Sequence, residues 1–370
     1  MNIAFRLDAS VQIGAGHMAR CLTLADALRK KGATAHFLCR NLSIFDPEAV
    51  RGRGHAVHML PEKKGRENRS EKGTPHGAWL ACPQEDDADD CLRVMETIGP
   101  VDWVVADHYA LDATWEEKVR RNAKNLFVID DLADRRHACD LLLDQTYNRF
   151  SEEYAALTPP RCVVLAGSGY ALLRPQFKNM REKALEKRRA RKGGIENILV
   201  FLSSSDPMNA TGFVLHALGL LMNRPFTVTA VLGSKSPHLH EISRLIRGMP
   251  YPAKLYTDVE DMASLMTQAD IAVGAGGTAS WERCCLGLPA VVIEMAENQS
   301  RVSSELEKAG AVTYLGRFND IHKAGIADAV RQLDENPGKL AAMANRAAEI
   351  CDGLGADKVA GEMLKPQKVL

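Results

Sequence analysis

The chain has 370 residues, and its Lys+Arg and Asp+Glu counts are both 47, so it carries no formal net charge. Hydrophobic residues make up 46% and charged residues 25%. These are ordinary globular values, which exclude a disordered chain and leave apolar surface for two cores at roughly 100–200 residues per domain. The balance lacks the basic excess of a nucleic-acid or membrane-surface protein. No apolar run approaches the ~20 residues that span a bilayer. Charge enters at Arg6 and Asp8, where a signal peptide needs its apolar stretch, so the expected location is cytoplasmic. Nine cysteines are scattered without a C-x-x-C, and Cys284 and Cys285 are too close for an ordinary disulfide. They read as reduced, structural thiols.

In chain order, Ile3–Leu7 reads as a strand. Apolar residues at 18, 21, 22, 25 and 28 predict a helix from Met18 to Lys30 that stops at Gly32. Thr34–Cys39, Trp103–Asp107, Leu126–Asp130 and Leu141–Asp144 are further strands. Residues 61–75 show no periodicity and read as a surface insertion or mobile loop. The acidic run Gln84–Asp90 opens a helix through Met95 as a solvated start, where negative charge suits the dipole. Residues 178–194 are dominated by Lys, Arg and Glu and read as a charged linker helix. A second series then begins, with strands at Ile198–Leu202, Thr227–Leu232, Ala253–Tyr256, Ile271–Val273 and Ala290–Ile293. Helices are expected at Thr211–Met222, Glu241–Arg247, Val259–Gln268, Ser280–Cys285 and Arg301–Ala309, with an Ala-rich helical stretch over 322–364. Strands alternating with helices imply parallel sheets covered on both faces. The expected fold is α/β, with a Rossmann-like domain over 1–177, the linker 178–194, a second Rossmann-like domain over 195–348 and a helical tail over 349–370. A ligand in such a molecule is expected in the cleft between the domains, beyond the carboxyl ends of the strands.

Two segments carry chemistry. The first is Arg6-x-Asp8-x(5)-Gly14-x-Gly16-His17, between the first strand and helix. Its glycines allow a tight backbone and close ligand approach. His17 falls in the first helical turn, whose positive end disfavours the imidazolium and leaves a ring able to accept a proton. Asp8 is the expected partner of the other ring nitrogen. Gly14, Gly16 and Ala19 also fit a dinucleotide fingerprint, with Arg40 suited to an NADP phosphate, but the glycines stand too far beyond the strand. The second segment is Gly274-Ala-Gly276-Gly277-Thr278-Ala-Ser-Trp281-Glu282, a strand running through a glycine-rich turn into a helix. Free N–H groups at such a start suit a diphosphate, and Glu282 suits ribose hydroxyls. Glu297-Asn298-Gln299 forms a polar loop after the next strand.

On these residues the chain resembles the UDP-2,4-diacetamido-2,4,6-trideoxy-β-L-altropyranose hydrolases of the pseudaminic-acid pathway, with which certain spore-coat polysaccharide proteins are grouped. The resemblance runs through FRLDASVQIGAGHMARCLTL, Val105-Ala-Asp107-His108-Tyr109, Ile129-Asp130-Asp131-Leu132-Ala133, Leu172-Leu173-Arg174-Pro175-x-Phe177, GAGGTASWERCCLGLP and AENQ, over roughly residues 1–315. It implies a GT-B fold similar to the lipid II-forming N-acetylglucosaminyltransferase. His17 would be the base that activates water against the anomeric carbon, with inversion and release of UDP. Asp8, Gly14 and Gly16 would support it. Arg174, Gly276, Gly277, Thr278, Glu282, Asn298 and Gln299 would bind the UDP-sugar. The implied setting is nonulosonic acid biosynthesis and flagellin glycosylation. No metal, organic cofactor or obligate protein partner is implied, and no D-x-D metal signature is evident.

The chain departs from that pattern at Ser203-Ser204, where the family carries Gly-Gly before Ser-Asp-Pro; serine resists positive φ and is expected to tighten the loop. Ala279 stands where a hydroxyl residue is frequent. Asp130, Asp131 and Asp134 are weighed as a Mg²⁺ site but read as turn and cap residues. His55, His58, His238 and His240 lack a third ligand and read as surface residues. Trp115 and Trp281 read as packing. A glycosyltransferase, with a sugar hydroxyl in place of water, and a non-catalytic nucleotide-sugar binder are the competing functions.

Overall fold

The computed structural model describes residues 1–10, 12–63, 76–221 and 226–365. It divides into two compact units, Met1–Leu172 with Leu354–Leu370, and Leu173–Gly353. From residue 64 onward, the segment read as an insertion lies outside the described residues.

The first unit runs β1 (Asn2–Leu7), α1 (Gly16–Arg29), β2 (Thr34–Cys39), α2 (Pro47–Arg51), β3 (Ala56–Met59), α3 (Gln84–Ile98), β4 (Val101–Asp107), α4 (Ala113–Val119), β5 (Ala123–Ile129), β6 (Leu141–Asp144) and β7 (Val163–Ala166). The second runs α5 (Pro175–Ala190), β8 (Asn197–Phe201), α6 (Ala210–Leu218), β9 (Thr227–Leu232), α7 (Leu239–Arg247), β10 (Ala253–Thr257), α8 (Met262–Gln268), β11 (Ile271–Ala275), α9 (Ala279–Cys285), β12 (Ala290–Glu294), α10 (Ser300–Lys308), β13 (Val312–Arg317), α11 (Lys323–Asp334) and α12 (Pro337–Ile350). A last helix, α13 (Gly355–Met363), belongs to the first unit.

Both sheets are parallel throughout. The first has seven strands in the order β3-β2-β1-β4-β5-β6-β7, and the second six in the order β10-β9-β8-β11-β12-β13. Alternation along the strands divides the first core. Phe5, Phe37 and Phe127 pack on one face with α1, and Ala4, Leu38, Val104 and Leu126 on the other with α3 and α4. Phe5 and Phe37 are register partners, and their rings stack at 5.0 Å.

The unit boundaries fall elsewhere than the sequence suggests. Helix α5 occupies most of the expected linker, and it packs within the second unit. Its Arg181 donates to the carbonyls of Cys285, Ala348 and Cys351, and its Arg188 to those of Met266 and Ala269. Those carbonyls lie at or just beyond the ends of α8, α9 and α12, where helices leave acceptors unpaired. Two charges of this stretch, Arg181 and Arg188, therefore serve packing, while Glu182, Lys183 and Arg189 stay exposed. The tail also departs from its expected place: Ala356, Val359, Ala360 and Met363 of α13 fill the first core beside α1.

Candidate active site

In each sheet the strand order reverses once, between β1 and β4 and between β8 and β11. Chains leaving neighbouring strands in opposite directions open a crevice at the carboxyl ends, and parallel α/β sheets place ligands there. The His17 segment follows β1 and the glycine-rich segment follows β11, so both chemistry-bearing motifs sit at these reversals.

At the first reversal, Leu7 pairs with Asp107, which brings the end of β4 beside the end of β1. Gly14, at φ +80, turns the chain into α1, whose N-cap Ala15 supplies no side-chain cap. His17 then lies in the first turn, 6% exposed, with Nδ1 2.5 Å from Asp107 Oδ1. Arg20, one turn further on the same face, forks onto the same carboxylate: Nε to Oδ2 at 2.7 Å and Nη2 to Oδ1 at 2.6 Å. The Cys21 thiol donates to Oδ2 at 3.2 Å. Burial alone would raise the Asp107 carboxyl, but Arg20 and then His17 hold it well below the usual carboxylate range. Arg20 reaches on to Asp131, which also accepts from the Tyr109 hydroxyl at 2.8 Å. With Nδ1 on an ionised carboxylate, the ring nitrogen left to accept a proton is Nε2.

Asp8 does not orient His17. Its carboxylate accepts the backbone N–H groups of Arg40 and Asn41 at 2.7 and 2.9 Å and pairs with Arg6. It thus ties the end of β1 to that of β2, while the strand on the other side supplies the histidine's partner. The acidic start of α3 is solvated only in part: Glu85 is exposed, but two of its acids turn inward. Asp87 is buried, accepting Arg6 Nε at 2.9 Å, Arg40 Nη2 at 2.8 Å and Trp115 Nε1 at 3.0 Å. Asp90 accepts Arg40 at 2.9 Å. The arginines on β1 and after β2 need buried counter-charges, and α3 provides them. This also removes Arg40 from any role toward a cofactor phosphate. His55 is buried too, with Nε2 2.9 Å from Asp26 Oδ1, so it is no surface residue; His238 and His240 are half-buried and exposed. Asp130 and Asp134 both pair with Arg135, and Asp131 with Arg20. Among the described residues no group of three His, Cys, Asp or Glu side chains is arranged to hold a metal ion.

At the second reversal the arrangement is sparser. Gly276 donates its N–H to Gln299 Oε1 at 3.2 Å, and the same oxygen accepts Met295 N at 3.0 Å. A Cβ on Gly276 would stand 2.2 Å from Ser303 Oγ, so only glycine lets the turn lie against α10. Gln299 is therefore a latch between the turn and the end of β12, and its amide NH₂ stays beside Gly277. Gly277 and Thr278 are half-buried at the start of α9, where Thr278 makes no capping hydrogen bond. The N–H groups of Ser280 and Trp281 donate to Gly277 O at 2.8 Å and Thr278 O at 3.1 Å, so the donors this turn offers a ligand are those of Gly277, Thr278 and Ala279. Glu282, in the same helix, stands 3.5 Å from Arg174 Nη2, so two of the expected binding residues meet. Arg174 also donates to Glu260 O at 3.0 Å and lies over the Phe177 ring. Burial pushes the Glu282 carboxyl up, and Arg174 opposes the shift. Asn298 is exposed. In the 203–207 turn, neither Ser203 nor Ser204 has positive φ. That geometry falls on Asp206 (φ +38), which accepts the N–H groups of Ala210 and Thr211 at 2.9 Å each and holds the start of α6. The serines are accommodated without strain.

Missing from the sequence-based expectation are Asp107 as the partner of His17, Arg20 beside both, and Asp131 as the second partner of Arg20. Two signals were present. Arg20 stands at i+3 from His17, and Asp107 ends a buried strand with an acid that the apolar run does not need.

The topology invites comparison with known folds. MurG of Acinetobacter baumannii superimposes with a TM-score of 0.69 at 15% identity over 99% of both chains. UGT71G1 of Medicago truncatula, solved with UDP-glucose, gives 0.64 at 13% identity over 98% of both. The fold is GT-B. Within this GT-B chain, residues 205–356 match the glycosyltransferase family 28 C-terminal domain. Three curated relatives are similar in sequence. An uncharacterized protein of Methanocaldococcus jannaschii is 27% identical over 334 residues, 86% of this chain and 61% of that protein. The spore coat polysaccharide biosynthesis protein SpsG of Bacillus subtilis is 34% identical over 154 residues, 41% of this chain and 44% of its own. The UDP-2,4-diacetamido-2,4,6-trideoxy-β-L-altropyranose hydrolase of Campylobacter jejuni is 22% identical over 316 residues, 84% of this chain and 97% of its own. The chain thus spans less than two thirds of the first two relatives. Among the described residues no helix is long and apolar enough to cross a membrane.

Proposed function

We propose that the chain hydrolyses a UDP-linked deoxy-diacetamido sugar at its anomeric carbon. The observation that carries this reading is the His17–Asp107 pair at the β1/β4 reversal, with Nδ1 engaged at 2.5 Å and Nε2 left as the acceptor. Nε2 takes a proton from water as the water oxygen bonds to the anomeric carbon. The bond from that carbon to the diphosphate oxygen breaks, its electron pair leaves with UDP, and a single displacement inverts the anomer. Asp107 keeps Nδ1 protonated and stabilises the imidazolium that forms. The N–H groups of Gly277, Thr278 and Ala279, where the turn enters α9, take the diphosphate charge, with Gly276 held back by Gln299 to shape the turn. Glu282 accepts the ribose hydroxyls and Arg174 steadies it, while Asn298 and the amide of Gln299 contribute polar contacts. The acids that could have held a metal, Asp130, Asp131 and Asp134, are engaged by arginines, so charge stabilisation is assigned to backbone N–H groups. The relative from Campylobacter jejuni supports the substrate class, and with it a place in nonulosonic acid synthesis.

A second reading draws on the glycosyltransferase family 28 match over residues 205–356: a sugar hydroxyl replaces water at the same base. Incubation with UDP-sugars, with and without acceptor sugars, separates the two. The hydrolase releases UDP and free sugar without an acceptor, whereas the transferase releases UDP only when one is supplied.

A further inference from the structure

Beside the His17–Asp107 pair stands a set of rings that the reaction above does not use. Tyr109 sets its ring edge-on to His17 with centroids 4.7 Å apart, and it is itself buried. His76 and Trp79, at the short helical turn Gly77–Leu80, lie 5.5 and 5.9 Å from the Tyr109 ring and 4.4 Å from each other. The four rings form a continuous chain from the base outward, all within the first unit. Of the four tryptophans, Trp103, Trp115 and Trp281 are at most 3% exposed, as packing residues should be. Trp79 is only half-buried, as is His76. A large indole with open surface, backed by buried aromatics beside a general base, is a poor packing residue and a good platform. Its electron-rich face attracts the polarised C–H bonds of a sugar ring, and its flatness orients that ring.

We propose that Trp79, backed by His76 and Tyr109, is the platform on which the C–H face of the substrate's sugar lies while His17 addresses the anomeric carbon. The inference rests on the UDP-sugar reading and adds the residue that sets sugar selectivity. A 6-deoxy carbon and acetamido methyls offer the indole more apolar surface than a hydroxyl-rich sugar does. The platform therefore favours deoxy-acetamido sugars over their fully hydroxylated counterparts.

The test uses the full chain carrying His17→Asn, which holds the UDP-sugar intact. Because the other three tryptophans are buried, iodide quenching of the fluorescence reports Trp79. A UDP-linked 6-deoxy diacetamido sugar should protect Trp79 from iodide, and UDP alone should not. In steady state, with His17 present, Trp79→Ala should raise KM ~10-fold with a smaller change in kcat, the scale of one lost aromatic stacking contact. The kcat/KM preference for the deoxy diacetamido sugar over UDP-N-acetylglucosamine should shrink, and Trp79→Phe should retain most of it. Release of UDP by the unsubstituted enzyme without iodide protection overturns the platform alone, as does an unchanged sugar preference in Trp79→Ala. If Trp79→Ala does not fold, Trp79→Phe and the quenching measurement still decide. Failure of the unsubstituted enzyme to release UDP from any UDP-sugar overturns the hydrolase reading and the platform together.

Discussion

The two strand-order reversals occupy equivalent places in sheets that share the order of their first six strands, yet they are built from different materials. At β1/β4 the strand ends are crowded with charged and titratable side chains: Asp8, His17, Arg20 and Asp107, all buried, and the half-buried Asp131, with Arg6, Arg40, Asp87 and Asp90 behind them. At β8/β11 the turn is glycine and backbone amide, held by one glutamine, with the Arg174–Glu282 pair alongside. The difference teaches what each can do. Moving a proton needs an ionisable group held in one orientation and one tautomer, which demands fixed counter-charges. Holding a diphosphate needs N–H groups and room, and side chains would obstruct it. The proposed reaction accordingly assigns the proton transfer to the first unit and the nucleotide to the second.

Substitutions should separate the two sites. His17→Asn should lower hydrolysis by ~10²–10⁴, the usual loss for a general base, while UDP affinity measured by calorimetry stays unchanged. Retained turnover would remove His17 from the reaction, and loss of the fold would make it structural. Asp107→Asn should lower kcat roughly 10²-fold or more by releasing the Nδ1 proton, with little effect on UDP binding. Glu282→Ala should do the reverse, weakening UDP by about 1–3 kcal/mol and leaving kcat at saturation nearly intact. An unchanged UDP affinity would take Glu282 out of the ribose role.

A smaller effect should follow from charge crowding in the first unit. The Tyr154 hydroxyl bridges Asp130 at 2.8 Å and Asp144 at 2.7 Å, and its single proton cannot serve both. Burial, and then the nearby Asp131, push the Asp144 carboxyl up to about 6 against the opposing pull of Arg149, whose Nε stands 2.5 Å away, whereas Asp130 lies near 2 because Arg135 and then His137 outweigh its burial. Asp144 is raised above its unfolded value, so its contribution to stability is complete below the ordinary aspartate range and is lost as pH rises through about 6. Asp144→Asn should therefore flatten the fall in melting temperature between roughly pH 4 and 6.5, by an amount on the order of 1 kcal/mol. An unchanged pH profile would show that the hydroxyl bridge does not retain that proton. The smallest expected effect is none at all. EDTA should leave turnover unchanged, and loss of activity restored by Mg²⁺ or Mn²⁺ would move the reaction to the acids around Asp130.

Much of this arrangement was legible in the sequence, and what was not has physical reasons. Buried central strands such as LLLD and VDWVVAD announce themselves because both faces are covered. The strands missed, β3, β7 and β13, lie at sheet edges, where half-buried residues give mixed patterns. His17 and Glu282 were visible because glycines and strand ends mark their neighbourhoods. The partner of His17 was misplaced onto Asp8 because proximity in sequence stood in for proximity in space. Asp107, ninety residues away, is brought in only by the β1–β4 register. Asp87 and Asp90 looked like a solvated helix start because nothing local reveals that Arg6 and Arg40 end up beneath them.

In the proposed reaction an activated water attacks the anomeric carbon. Turnover of a UDP-linked deoxy-diacetamido sugar in ¹⁸O-water, without acceptor, tests it most directly. Attack by water at that carbon puts ¹⁸O at the anomeric position of the released sugar, gives an inverted anomer in the first spectra, and leaves UDP free of label. Label in UDP, or no release without an acceptor, would contradict it.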